Sequence, residues 1–462
     1  MACALHAQVI SGWAFEGPDH RLHYIPDARG NTIMDFSAAG YRGGGVALPS
    51  PVTAQRLTPV AGDNTARIQA ALDNANGAVV LAPGEYELAG TLRITRSGVV
   101  LRGEKGAAIR LTGKPHCFLE IRGTGTWREE SPAASVLDAY VPAGTSTVRV
   151  HGASTFHPGD HVLVLHPVTA GVVIRTDRVV DSVDGDRVTL DVPLSDALDS
   201  KVTAASLVRY KFPGRISEVG VAGLRIVASF EDAAISGPDY AALHLDAVED
   251  AWVRDLEIQG TQNGIAIGPG AKRVTVENVR TAHAAAHVAT AAAPDFAVEG
   301  TQILIDRCRV TGESTWAVAT GLEVTGPVVI LNFTSDLGGF APQQPWATGV
   351  LVDGSKFAGG SERQPGLAFS HPATAGSGRW WDMGWSVAWN VSSPFLLVPQ
   401  PPGALNWCIG CTGAPVTVGG APNGIFDALG KAVVPLSLYL HQLKDRLGPE
   451  AVSNIGYVHI GY

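Results

Sequence analysis

The sequence lacks the features that mark several large classes of protein. None of its apolar runs approaches the roughly 18 residues that a membrane-spanning helix needs. It has no block of basic residues, and its 462 residues carry a formal net charge of −9, which argues against a nucleic-acid partner. Only 17% of the residues are charged whereas 45% are hydrophobic, so the chain has enough apolar material for a large core. We therefore expect a folded protein with neither a nucleic-acid nor a membrane partner.

Cysteine is also scarce, with five residues in the whole chain. Cys408 and Cys411 form a C-x-x-C motif, but there is no second pair to complete a zinc site and no βαβ pattern for redox chemistry. We expect these thiols, like Cys117 and Cys308, to pack in the core as small apolar groups. Asp196, Asp199 and Lys201 are expected in a solvated loop. No cofactor is required by any motif; calcium is possible, although no clear site for it is visible.

Short apolar strands separated by polar or glycine corners are present in abundance between Ala242 and Gly413. The successive runs begin at Trp252, Val274, Ile303, Val329, Val350 and Val387. β-Branched residues dominate these runs, and their spacing of roughly 20 to 30 residues is typical of one coil of a solenoid. We expect corners at Gly260, Gly264, Gly268, Gly270, Gly300 and Gly312. The pattern predicts a parallel β-helix, whose coils must stack to share one core.

The ends of the solenoid need caps, and two amphipathic segments are suited to that role. Ile68, Ala71 and Leu72 share one face of a helix predicted over 63–75, which Asp63 or Thr65 can cap and which Gly77 ends. A second helix is predicted over about 437–448. We divide the chain into an N-terminal segment over 1–60 and a β-helix over 61–462. Residues 125–213 break the coil rhythm and are predicted to be a β insertion.

The N-terminal cap region carries a resemblance to a known family. Asp63 to Leu72 reads D-N-T-A-R-I-Q-A-A-L and is followed by V-L-A-P-G-E-Y from Val80 to Tyr86. This resembles the opening of the pectate-lyase superfamily, although Pro83 lies one position later than in that pattern. The resemblance implies a right-handed parallel β-helix. It implies no single reaction, because the superfamily includes lyases, hydrolases, transferases, epimerases and phage adhesins.

Family motifs for catalysis are not found. The sequence has no Asp-Asp pair, no Gly-His-Gly and no R-x-P-x-x-R. The site must therefore be sought from chemistry. A lyase acting on a uronic acid neutralises the carboxylate, removes the neighbouring proton and protonates the leaving oxygen. His371 and Arg379, on either side of a glycine-rich loop, fit these tasks, and His283 or His287 is a further candidate for acid or base.

Hydrolysis would instead need two carboxylates on either side of the scissile bond. The candidates are Asp306, Asp336, Asp353 and Asp382, because stacked coils place equivalent positions ~4.8 Å apart. Sugar rings could stack on Trp346, Trp380 and Trp381, with Asp382 beside them. Met383, Trp385, Val387 and Trp389 are predicted to share one strand face.

The sequence thus predicts an all-β enzyme that cleaves a polysaccharide or oligosaccharide in a groove along the coils. A polysaccharide lyase is favoured; the alternatives are a glycoside hydrolase or glycosyl transferase with an aspartate pair, and a non-catalytic carbohydrate-binding or adhesin-like β-helix. Met1 to Gln8 resembles the end of a secretory signal, so we expect a secreted or periplasmic protein. The oligomeric state stays open.

Overall fold

Two long parallel β-sheets run the length of the molecule and wind around one core. The computed structural model describes residues 9–168, 172–228, 239–283, 293–312, 314, 316–371, 382–417 and 419–458. Each coil contributes one strand to a 13-stranded sheet, called sheet A, and in most coils two strands to an 18-stranded sheet, called sheet B. All the pairings within both sheets are parallel. The predicted right-handed parallel β-helix is confirmed.

Sheet A consists of the first strand of each coil. Its strands are Thr53–Leu57, Gly77–Leu81, Val99–Gly103, Ile216–Ala222, Val248–Arg254, Lys272–Glu277, Thr301–Asp306, Thr325–Leu331, Ala347–Asp353, Met383–Gly384, Ser386–Trp389, Asn406–Ile409 and Ile425–Asp427. The runs that begin at Trp252, Val274, Ile303, Val329, Val350 and Val387 all fall on these strands.

Sheet B consists of two rows, because the chain turns once more in each coil. Row B1 comprises Gly84–Leu88, Ala107–Leu111, Arg225–Ala228, Glu257–Gln259, Arg280–Ala282, Arg309–Thr311, Thr334–Ser335, Lys356–Phe357, Ser392–Leu397 and Thr412–Val416. Row B2 comprises Leu92–Ile94, Cys117–Arg122, Ala241–Asp246, Asn263–Ile267, Phe296–Val298, Trp316–Thr320, Gly339–Pro342 and Leu367–Ala368. The last two strands of row B1 are long enough to continue into row B2.

The corner between sheet A and row B1 is a single residue with left-handed backbone. It is occupied in five coils by Asp255, Asn278, Arg307, Asn332 and Asn390, with φ between +48° and +53°, and in three others by Gly223, Gly354 and Gly410, with φ between +58° and +70°. Asn and Asp tolerate this conformation better than most residues. Of the glycines expected at corners, Gly260 and Gly312 have positive φ. Gly268, Gly270 and Gly300 also lie in turns, between row B2 and sheet A, but without positive φ; the expectation is wrong for Gly264, which lies within a strand.

Helix α1, Thr65–Asn74, closes the first coil. Ile68, Ala71 and Leu72 are buried in the main core, and the Asp63 carboxylate accepts a hydrogen bond from the Thr65 N–H at 2.9 Å. Gln69 pairs with the backbone of Arg93, at 2.7 and 3.0 Å. Since Arg93 lies on the first strand of row B2, the helix satisfies an edge that would otherwise be unpaired.

The C-terminal helices lie along the side of the solenoid. Helix α2 is Leu438–Leu447 and helix α3 is Pro449–Asn454. They lie on the outer face of sheet A with the N-terminal segment, and form a second core with Phe36, Leu351 and Trp389. The predicted helix is present, but it runs along the coils instead of closing their end. His441, on helix α2, is consequently buried.

The N-terminal segment contains Val9–Ile10, Ala14–Glu16, Leu22–Tyr24 and the 3₁₀ turn Tyr41–Gly43, and Val433–Val434 pairs with its first strand. The insertion contains Arg128–Ser135, Tyr140–Val141, Thr147–Arg149, the 3₁₀ turn Ala153–Thr155, His161–Pro167, Val173–Asp184, Arg187–Leu190, Leu198–Asp199 and Ser206–Lys211. Six of its strands form an antiparallel sheet over a small core of its own. No helix in the described part of the chain is both long and apolar enough to cross a membrane.

A buried ion cluster joins the insertion to the coils. The Lys272 ammonium donates to Asp177 at 2.7 Å, and the Arg215 guanidinium lies 3.2 Å from the same carboxylate. Burial alone would raise the pKa of Asp177, but the charges of Lys272 and Arg215 hold that pKa below its usual value. The cluster therefore fixes how the insertion sits beside the sheets.

Asp177→Ala tests this attachment. The change leaves the fully buried Lys272 without its counter-ion, so we expect the free energy of unfolding to fall by about 3–5 kcal/mol in urea denaturation. Asp336→Asn is the control, because Asp336 pairs with Arg309 at an exposed position and should change stability by less than about 1 kcal/mol. Equal effects of the two changes would refute a structural role for the cluster.

Candidate active site

The outer face of sheet A leaves no room for a substrate in its later coils. Leu304, Val329, Leu351 and Trp407 point outward there, and each is buried beneath the N-terminal segment or the C-terminal helices. A groove must therefore lie on sheet B. Of the two rows of sheet B, row B2 is the one with more structure on its sides. The insertion begins after Arg122, and Asp295 and His371 both contact Trp316 in a later coil.

The outward-facing residues of row B2 form two files, which the strand register fixes. One file contains Arg93, Glu120, His244, Ala266 and Ala297. The other contains the pair Arg122 and Asp246, continued by Gly268 and Glu299, which directly follow the paired residues Ile267 and Val298. The alternate residues Leu119, Leu243, Ile265 and Phe296 point into the core. The face is thus polar over its first coils, with small residues between its charged groups.

Asp246 and Glu299 are two carboxylates in the same file. They lie two coils apart with Gly268 between them, and a Cβ at Gly268 would come within 2.8 Å of the Asp246 Cγ. The glycine lets the Asp246 side chain lie along the floor of the groove. Its Oδ1 accepts hydrogen bonds from Ala247 N at 2.8 Å and Gly270 N at 2.9 Å, which hold the carboxylate in place.

The environment of Glu299 differs from that of Asp246. Glu299 is half-buried, and burial together with the nearby negative charge of Asp246 raises the pKa of its carboxyl group. Two carboxyl groups in different environments on one face can have different pKa values, so that one serves as the acid and the other as the base. Asp246 is 18% exposed and lies 3.7 Å from Arg122.

A depression of about 410 Å³ lies beside Asp246, and Glu299 is not among its lining residues. It is lined by Arg93, Glu120, Arg122 and Asp246, and by the segment 123–125 that begins the insertion. The Arg93 guanidinium pairs with Glu120 at 3.0 Å. The insertion therefore contributes to one side of the groove.

Among the predicted residues, His283 lies at the border of row B2. Its Nε2 donates to Asp295 at 2.7 Å, and Ser314 Oγ donates to the other oxygen of Asp295 at 2.8 Å. The histidine side chain is only 3% exposed. Asp295 therefore fixes the orientation of the imidazole ring, but within the described residues His283 is enclosed.

The structure brings His371 into the same region. Its ring lies 5.2 Å from that of Trp316, and the Trp316 carbonyl accepts from Asp295 N at 3.0 Å. Asp382 accepts from the His371 N–H at 2.8 Å and from Ser370 Oγ at 2.9 Å. Burial lowers the pKa of His371. Two segments far apart in sequence thus meet, although His287, Arg379, Trp380 and Trp381 lie outside the described residues.

Trp346 is not an exposed platform for sugars. It is partly buried, and its Nε1 donates to Asp196 Oδ2 at 2.9 Å, while Trp385 Nε1 donates to Oδ1 at 2.9 Å. The prediction of a solvated loop is wrong for Asp196, whose side chain is 17% exposed because the two indoles enclose it. Trp346 thus links the coils to the insertion.

The predicted aspartates do not form an open pair. Asp306 and Asp353 lie in one file of sheet A, two coils apart with Leu331 between them, as the register argument requires. However, Tyr457 donates to Asp306 at 2.6 Å, and Ser437 and Tyr439 N donate to Asp353 at 2.7 and 2.9 Å. Both carboxylates are buried under the C-terminal segment. Asp336 is exposed and pairs with Arg309 at 2.9 Å.

Sequence reasoning missed Asp246 and Glu299. Each directly follows an apolar strand residue, Leu245 or Val298, which is the signal it shares with Asp306 and Asp353. The strand register of row B2 was needed to show that these two share a file. Within the described residues no group of three or more His, Cys, Asp or Glu could hold a metal ion.

Comparison with known proteins supports nothing finer than the fold. No protein-family model and no curated protein matches the chain. Among solved structures, the A-module of mannuronan C-5 epimerase AlgE6 from Azotobacter vinelandii is 11% identical, with a TM-score of 0.38, over 80% of this chain and 95% of that one. The endo-xylogalacturonan hydrolase from Aspergillus tubingensis is 12% identical, with a TM-score of 0.32, over 79% and 94%.

A third similar structure is the Gp54 tailspike of Acinetobacter baumannii bacteriophage AP22, solved in complex with a capsular saccharide. It is 11% identical, with a TM-score of 0.32, over 81% of this chain and 73% of that one. The stacked coils agree with the resemblance to the pectate-lyase superfamily, and no subgroup within it is indicated.

The buried carboxyl group of Asp353 predicts an unusual pH dependence of stability. Burial raises its pKa to about 7, against about 3.9 in an unfolded chain. Between those values the folded protein retains a proton that the unfolded chain has released, so the free energy of unfolding falls as pH rises from about 4 to 7. In urea denaturation at several pH values, Asp353→Asn should flatten this fall.

Asp353→Ala separates the effect of protonating the carboxyl group from the effect of its hydrogen bonds. It removes the acceptor for Ser437 and Tyr439, so we expect a loss of about 1–3 kcal/mol even at low pH. Asp336→Asn, at the surface, should leave both the slope and the stability unchanged. A wild-type protein whose stability rises over this pH range would contradict the assignment.

Proposed function

We propose that the protein is a glycoside hydrolase that cleaves a polysaccharide or oligosaccharide in the groove of row B2. The observation that carries this proposal is the pair of carboxyl groups on one open face, Asp246 and Glu299. Glu299, whose pKa is raised, suits the general acid that protonates the leaving oxygen. Asp246, held by two backbone N–H groups, suits the base that directs a water molecule.

The spacing of the pair favours inversion at the anomeric carbon. Two coil rises of ~4.8 Å place the two backbones roughly 10 Å apart, and the Glu299 carboxyl group lies over Gly321 of the following coil, so the two carboxyl groups are too far apart for a retaining enzyme. Retaining enzymes hold their carboxyl groups about 5–5.5 Å apart, whereas inverting enzymes keep about 6.5–9.5 Å for the water. An extended groove along stacked coils suits a chain of sugars better than a small metabolite.

A polysaccharide lyase is the second candidate, because row B2 also presents cations beside a histidine. Arg122 and Arg93 lie on consecutive coils, and His244 follows in the same row. Arg122 is 57% exposed and could neutralise a uronate carboxylate, with His244 as the base. The predicted pair His371 and Arg379 is a further lyase arrangement. Secretion or a periplasmic location, where such polymers occur, belongs to the same proposal.

Single substitutions in the pair should abolish hydrolysis. We expect Glu299→Gln and Asp246→Asn each to lower kcat about 100- to 10,000-fold on a responsive glycan, measured as new reducing ends. Asp336→Asn is the matched control and should retain full activity, since its carboxylate lies outside the groove. Products followed by NMR should carry the inverted anomeric configuration.

The same assay separates the two reactions. Release of an unsaturated uronic product, detected by ultraviolet absorbance and lost in His244→Ala but retained in Glu299→Gln, would refute hydrolysis and support the lyase. Binding of glycans with no new reducing ends and no absorbance would instead support a non-catalytic binding protein.

Glu299 also predicts the alkaline limit of activity. As a general acid it must carry a proton, and its raised pKa keeps that proton at higher pH than an ordinary glutamate would. The rate should therefore fall as pH rises through this pKa, which lies above the usual value of about 4.3. A pH profile of kcat/KM measures it, and an alkaline limb near pH 4 would contradict the role.

A further inference from the structure

The outer face of row B1 carries a column of mostly cationic residues with few anionic residues among them. The strand register aligns Arg225, Glu257, Arg280, Arg309, Thr334 and Lys356 in successive coils. Four of these six residues are cationic and one is acidic. The column lies around a corner from row B2, and none of its members takes part in the proposed hydrolysis.

Arg280 and Arg309 are the centre of this column. They are directly paired on adjacent parallel strands. Their backbones are therefore only ~4.8 Å apart, and both side chains are exposed. Like charges that face each other across strands destabilise a sheet. Arg309 is paired with Asp336 at 2.9 Å, whereas Arg280 makes no ion pair with the described residues. In a chain of net charge −9 this local excess of cations favours an anionic occupant.

A groove of about 630 Å³ lies over these strands. Its charged lining residues are Arg280, Arg307, Arg309 and the anion Glu257, and Arg307 is already paired with Glu277 at 2.6 Å and Asp306 at 2.9 Å. Gln259, Asn278, Thr311, Asn332 and Thr334 add amide and hydroxyl groups, which can exchange hydrogen bonds with sugar hydroxyls. No aromatic side chain is among its lining residues, so the stacking on which single-stranded nucleic acids depend is missing.

We propose that this face, defined by Arg280, Arg309 and Lys356, binds an acidic polysaccharide outside the catalytic groove. Guanidinium groups on consecutive coils pair with the carboxylates or sulfates of the chain, and the amides hold its hydroxyls. The proposal deepens the proposed function by specifying an acidic glycan, and it rests on that function only for the choice of a polysaccharide. The surface retains the polymer while row B2 acts on it.

Affinity electrophoresis through gels that contain polygalacturonate or alginate, with dextran as the neutral polymer, tests the proposal without requiring cleavage. The acidic polymers should retard the wild-type protein, and the double variant Arg280→Gln/Arg309→Gln should bind roughly tenfold more weakly. Arg149→Gln is the matched control, because Arg149 is an exposed arginine paired with Asp186 on the insertion. The retardation should weaken with added salt.

The outcomes separate this surface from the active site. Glu299→Gln should be retarded like the wild type, and on a short oligosaccharide the double variant should keep its kcat. No retardation by either acidic polymer, or equal retardation of wild type and double variant, would overturn the proposal even if hydrolysis is found. Retardation by single-stranded DNA as strong as that by the glycans would overturn it in favour of nonspecific anion binding. Loss of binding only in the double variant supports it even where no hydrolysis is detected.

Discussion

Parallel pairing between coils is the constraint on which the rest of the structure depends. Because each strand is bonded in register to its counterpart one coil away, a residue at one position is stacked on the equivalent residue of the next coil at ~4.8 Å. One side chain therefore becomes a file of side chains. The same rule builds the core from Val274, Ile303 and Val328, the acidic pair of row B2, and the basic column of row B1.

The segments that cover sheet A determine which files of side chains can contact a ligand. In the later coils of sheet A several outward residues are as apolar as the inward ones, as in Val328-Val329-Ile330, because the N-terminal segment and helix α2 bury them. An apolar face of that kind is unstable in water, and the N-terminal segment and the C-terminal helices cover it. Sheet B is left as the face where polar files are exposed, and the insertion narrows one side of row B2.

The fold could be predicted from the sequence, since the repeat of β-branched runs and the N-terminal motif both indicate it. Side-chain direction was harder. Met383 was assigned to the face of Trp385, Val387 and Trp389, but it lies in the main core while those three lie in the second one. Trp385 has φ +55°, so the strand is irregular at that residue and the alternation changes phase there. The alternation of apolar residues in the sequence does not indicate where such an irregular residue lies.

Site residues were predicted less well, for a related reason. Asp306 and Asp353 were chosen because they follow strands in equivalent positions, and they do lie in one file. Equivalent positions after strands do not reveal whether a sheet is covered or open, and the file of Asp306 and Asp353 is buried. Asp246 and Glu299 satisfy the same rule on row B2, where Gly268 and not a larger residue separates them. The intervening small residue is thus the better signal: carboxylates that act on a ligand need open space between them, whereas carboxylates that anchor a helix need only a donor.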